Sequence, residues 1–146
     1  MRNKIDWIIH YCANGIACAD CGKIETGYLP YTCNAHTHVL AKYGQMDFQI
    51  VLDMPLEQIG YILNSLGSAV QKGERFCAGE TVSFGDKLFV KLAEYDEAGR
   101  KVLRLLFADR WGRFPDQPGC MKAYTLQLKK TDDLYYGGIH LNRHRN

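Results

Sequence analysis

Three side chains able to bind a metal or move a proton, Cys33, His36 and His38, fall within one ten-residue stretch, YTCNAHTHVL, from Tyr31 to Leu40. Imidazole and thiolate are ligands that zinc prefers, and imidazole is also the group whose charge changes near neutral pH. On an extended chain, residues two apart share a face, so His36 and His38 point the same way. They either share one ion or frame one ligand. Cys33 lies an odd number of residues from His36 and is expected on the opposite face. Asp47, on an adjoining strand, is available to orient one of the imidazoles, and His36, His38 and Asp47, with Arg110 and Arg113, are expected to line a pocket.

A second group, CADCG, spaces Cys18 and Cys21 so that two thiolates on a tight turn can meet one ion. Structural zinc needs four ligands in a tetrahedron. Cys18 and Cys21 could be completed by Cys33 with His36, or by His36 with His38. The first completion needs Cys33 and His36 to converge across a turn, whereas a strand separates them, so the two geometries exclude each other. Plain structural readings stand beside both: small thiols packed around the N-terminal segment, and two histidines on an exposed strand face. Zinc is thus a candidate cofactor, with Cys18, Cys21, Cys33, His36 and His38 as candidate ligands. A metal-free binding or assembly module, acting as a homodimer, is the alternative.

The loop DRWGRFPDQPGC, Asp109 to Cys120, is long for a compact domain, and long ordered loops are often functional. Arg110 and Arg113 are candidates to bind an anion there, and Trp111 and Phe114 to anchor the loop or stack on a ligand. The plain reading is a loop pinned by its aromatics. His-x-His also opens amidohydrolase barrels, but an eight-stranded α/β barrel needs about 200 residues or more. This chain has 146. No phosphate-binding loop, dinucleotide fingerprint or Gly-x-Ser-x-Gly elbow is present.

The elements that must position these groups follow from the hydrophobic pattern. Ile5, Ile8, Ile9 and Cys12 recur at helical spacing before Asn14-Gly15, which predicts a short N-terminal helix. DFQIVL, Asp47 to Leu52, is rich in strand formers. Pro55 suits a helix start, and Leu56, Ile59, Ile62, Leu63 and Leu66 then form one apolar stripe, predicting a helix over about 55–66. KLFVKLAEY and KVLRLLFAD flank DEAGR and predict a hairpin that turns between Tyr95 and Lys101. AYTLQLK, Ala123 to Lys129, alternates and predicts a last strand. Clustered strands without regular βαβ alternation favour an α+β domain built on a mainly antiparallel sheet, packed with one or two helices. Residues 1–136 are expected to form that single domain and the basic end, 137–146, a flexible tail.

Composition agrees with a globular protein: 47% hydrophobic, 12% aromatic and 23% charged. A net charge of +2 gives no reason to expect nucleic acid as partner. The N-terminus lacks the form of a signal peptide and no run is apolar enough to span a bilayer, so a cytoplasmic protein with no membrane partner is expected. A small molecule is a candidate partner.

The blocks CNAHTHVLAKYGQMDFQIVL, EQIGYILNSLG, QKGERFCAGE, GRKVLRLLFAD and RFPDQPGC occur in one order. From about Thr32 to Lys129 the chain resembles the bacterial domain-of-unknown-function family 4262. The resemblance implies a small bacterial protein with His36, His38, Asp47, Asn64, Gly73, Arg75, Phe114 and Pro115 at matching positions, and it implies no activity. Val39 stands where the family pattern has glycine, which bears on whether the chain turns tightly after the histidines. Cys12, Cys18 and Cys21 lie outside the matched blocks.

Overall fold

The computed structural model describes residues 4–14, 27–86 and 88–135. Six strands form one sheet: β1 (Ile8–Cys12), β2 (Thr32–His38), β3 (Asp47–Leu52), β4 (Thr81–Phe84), β5 (Leu88–Glu97) and β6 (Arg100–Phe107), in the order β1-β2-β3-β6-β5-β4. All neighbours are antiparallel except β3 and β6, which run parallel. The fold is α+β, with a mixed, mostly antiparallel sheet.

Alternation sorts the sheet into two unlike faces. Cys33, Ala35, Phe48, Ile50, Leu52, Val90, Leu92, Leu103, Leu105 and Phe107 enter the hydrophobic core. Over this face lies α1 (Leu56–Gln71), which buries Ile59, Ile62, Leu63, Leu66 and Val70. The stripe predicts this helix correctly. Pro55 sits just before it, and the helix runs beyond Leu66 to Gln71. Gly67 is an interior residue of the helix, and the Trp7 ring packs directly on it: an added Cβ would stand 2.5 Å from the indole. Trp7 Nε1 then donates to Asn64 Oδ1 at 2.9 Å.

The other face carries polar groups. Its centre is Arg104, fully buried, whose guanidinium stacks 3.6 Å over the Tyr95 ring. It donates to Gln49 Oε1, to the carbonyls of Gln127 and Lys129, and to Thr131 Oγ1. Burial lowers its pKa to about 10, so it stays charged at neutral pH and holds the segment after β6 against the sheet. That segment forms α2 (Lys122–Thr125) and two 3-10 turns, Leu126–Leu128 and Thr131–Leu134.

Two element assignments need correction. The stretch Ile5 to Cys12 is not helical: β1 pairs along β2, placing Ile9 and Tyr11 against the core. Pairing with a neighbouring strand outweighs local periodicity in so short a segment. Ala123 to Lys129 is not a strand. Gln127, a polar residue that the alternation Tyr124, Leu126, Leu128 would turn outward on a strand, is 1% exposed, because its amide donates to the Phe107 carbonyl and accepts the Phe107 N–H. The side chain thus caps β6 as a further strand would. The hairpin does turn where expected, at Ala98 and Gly99, both with positive φ. The end of the chain, 136–146, including the expected tail, lies outside the described residues. Among the described residues no helix is long and apolar enough to cross a membrane.

Candidate metal centre

Strand register assembles the site. In the antiparallel ladder, His10 of β1 lies directly opposite His36 of β2, and Ile8 lies opposite His38. Paired residues share a face, and so do residues two apart, so all three imidazoles project from the polar face of the sheet. Their centroids are 5.4 Å (His10–His36), 4.6 Å (His10–His38) and 4.8 Å (His36–His38) apart. One ring nitrogen from each lies within 4.8 Å of the others. His36 is buried, and His10 and His38 are half-buried.

The chain turns immediately after the cluster. Val39 takes φ 68° and ψ 16°, leading into a 3-10 turn at Leu40–Tyr43. The tight turn therefore forms without glycine, at the cost of a β-branched residue in the left-handed region. Asp47 secures it: Oδ1 accepts from Thr37 Oγ1 at 2.8 Å and from the Leu40 N–H at 3.2 Å.

Two residues from the β5–β6 turn close the other side. Arg100 donates to Asp47 Oδ2 at 2.5 Å, to the Thr37 carbonyl at 3.1 Å and to His36 Nδ1 at 3.1 Å. A guanidinium can only donate, so Nδ1 is the acceptor and the proton of a neutral His36 resides on Nε2. That nitrogen faces Glu97 Oε2 at 3.5 Å, while Glu97 Oε1 accepts from Arg100 Nε at 3.3 Å. Burial pushes the pKa of His36 down to about 4, with Glu97 opposing and His38, Arg100 and His10 adding to the fall. His38 is lowered as well, first by burial and then by Arg100 and His10. At neutral pH both are unprotonated, the state in which imidazole binds metals.

Sequence reasoning places His36 and His38 correctly on one face, with Cys33 on the other. Cys33 is fully buried in the core, its thiol donating towards the carbonyls of Ile50 and Leu52, and burial raises its pKa. A thiol so placed is not a ligand of the histidine cluster. Cys33 and His36 therefore do not form the expected knuckle, since they stand on opposite faces of β2. Cys18 and Cys21 lie outside the described residues. Asp47 is beside the site as expected, but it reaches His36 through Arg100. Arg110 and Arg113 are not part of this pocket, since they follow β6 at its far end whereas Arg100 begins that strand. Arg110 lies beside the Trp111 ring at 5.9 Å, and Arg113 donates to the Gly119 carbonyl at 2.7 Å. That loop is pinned by Asp109, whose carboxylate accepts the N–H groups of Trp111, Arg113 and Met121.

Sequence reasoning misses His10, Glu97 and Arg100. The signal for His10 is present but blurred: Trp7, Ile9, Tyr11 and Ala13 recur at period two, with His10 and Cys12 between them, while the apolar Ile8 interrupts the alternation. Glu97 and Arg100 flank the turn itself, and nothing local marks them as neighbours of residue 36. No family model matches the chain, and searches of curated proteins and of solved structures find no match either.

Proposed function

We propose that the protein binds a divalent transition-metal ion, zinc or one of similar ligand preference, through His10, His36 and His38. The observation that carries this reading is the convergence of three imidazoles from two paired strands, with one nitrogen of each within 4.8 Å of the others. Zinc–nitrogen bonds of about 2.0–2.1 Å in a tetrahedron separate the ligand atoms by about 3.3 Å. The rings would therefore close by up to about 1.5 Å, within the reach of side-chain rotation on a fixed backbone. Burial of His36 and His38 supports the reading, because a proton competes less well for a desolvated imidazole.

Such an ion is not needed to hold the fold. The core cluster has buried apolar groups from four strands and α1, with partly buried ones from β1 and β4 packed against it, and among the described residues no buried side-chain polar atom lacks a partner. This favours reversible binding over a structural staple. The same self-sufficiency favours the second reading, a metal-free binding or assembly module that works as a homodimer.

Elemental analysis of protein purified without a histidine tag, followed by calorimetric titration with Zn2+, tests the proposal. One ion per chain is expected, with affinity lost in His10→Ala and His38→Ala. A metal-free protein that sediments as a stable dimer and takes up no ion would decide for the second reading.

A further inference from the structure

Resting on that metal reading, we infer that Glu97 is the fourth ligand, and that the ion takes the place of the proton between His36 Nε2 and Glu97 Oε2. The separation of these atoms, 3.5 Å, is the main argument. A charge-assisted hydrogen bond draws its heavy atoms to about 2.7–2.9 Å, so this pair is too far apart to be a good one. It is close to the edge of about 3.3 Å that two ligands span on a zinc tetrahedron. The gap is the wrong length for a proton and nearly the right length for an ion.

The surroundings agree. Glu97 has a side chain 12% exposed, and its other oxygen is already engaged by Arg100 Nε, which aims Oε2 at the histidine. A carboxylate beside three imidazole ligands also offsets half the charge of a divalent ion, and imidazole nitrogen and carboxylate oxygen are both donors that zinc accepts.

Arg100 is the competitor. While its N–H occupies Nδ1, the ring must keep its proton on Nε2, where the ion would bind. Metal entry moves the ring proton from Nε2 to Nδ1, with none lost or gained overall, and Arg100 then withdraws from Nδ1. It keeps Asp47 Oδ2 and the Thr37 carbonyl, the two oxygens it already holds beside the ring. An imidazole that donates to a carboxylate or carbonyl while its other nitrogen holds metal is the usual outer arrangement of such sites.

The test is titration with Co2+, whose four-coordinate complexes absorb strongly in the visible, on wild type, Glu97→Gln, Arg100→Gln and His10→Ala. Wild type should bind with an intense visible spectrum. Glu97→Gln should weaken binding at least about tenfold and alter the spectrum, a loss of the size that removal of an ordered partner brings. Arg100→Gln should bind severalfold more tightly. If His10→Ala abolishes binding while Glu97→Gln matches wild type in affinity and spectrum, Glu97 is not a ligand and the three-histidine site stands without it. Absence of Co2+ binding by wild type would overturn both readings. Weaker binding by Arg100→Gln would overturn the competition. Should Glu97→Gln fail to fold, infrared difference spectra of wild type on adding Zn2+ decide: a shifted carboxylate band is expected, and its absence removes Glu97 from the site.

Discussion

Mild acid should weaken this fold, and His36 is the reason. Burial holds its pKa at about 4 in the native protein, against 6.5 for a free imidazole. The unfolded chain therefore takes up a proton below 6.5 that the native chain refuses until about 4. The resulting stability is fully present above 6.5 and is lost as pH falls through the window from 6.5 to 4. Within that window the unfolding free energy changes by about 1.4 kcal/mol per pH unit, so about 2 kcal/mol should disappear between about pH 7.5 and pH 5. The whole window is worth about 3 kcal/mol. His38, lowered by the same burial, acts in the same direction. Asp6 and Asp109 are lowered from 3.8, so what they contribute is present above that value and fades only below it. Urea unfolding at the two pH values, with a chelator present, should show the loss in wild type and a smaller one in His36→Gln, whose amide does not titrate. Equal wild-type stability at both pH values would refute the reasoning, as would an undiminished loss in His36→Gln.

Ile62→Asp puts an unpaired carboxylate at a fully buried position of α1 and should cost several kcal/mol, read as a large fall in melting temperature. Gly67→Ala drives a methyl group into the Trp7 indole, so about 1–3 kcal/mol should be lost. In a Trp111→Phe background, which removes the exposed indole, its fluorescence should shift to the red. Val39→Gly relieves a β-branched residue at φ 68° and should gain about 1 kcal/mol in urea unfolding, the relief of strain exceeding the extra freedom of the unfolded chain.

What the sequence discloses depends on how far apart the interacting residues are. The α1 stripe and the turn at Gly99 are written in neighbouring residues, and both appear where periodicity and turn chemistry place them. Ile5 to Cys12 satisfies helical and alternating patterns at once, and only its partner strand decides between them. With β1 mistaken for a helix, His10 cannot be seen opposite His36, so a secondary-structure choice hides one third of the histidine cluster. Gln127 misleads in a related way, because its amide imitates a strand backbone and reverses the expected inside and outside of its segment. Glu97 and Arg100 cannot be found by local reading at all.

The one parallel pairing in the sheet has a kinetic consequence. β1, β2 and β3 follow one another as antiparallel neighbours, and so do β4, β5 and β6. Within each set the partners lie closer along the chain, the longest connection being the one from Cys12 to Thr32. Joining them requires Asp47 to find Val102, about 55 residues along the chain, and distant pairings of this kind are the slow events of folding. The histidines and Asp47 arrive with the first set, and Glu97 and Arg100 with the second. The His36–Glu97 and Asp47–Arg100 contacts therefore span that seam and form only when the two halves dock. A probe on this site would report the last major step in folding, and neither half synthesised alone would contain the complete centre.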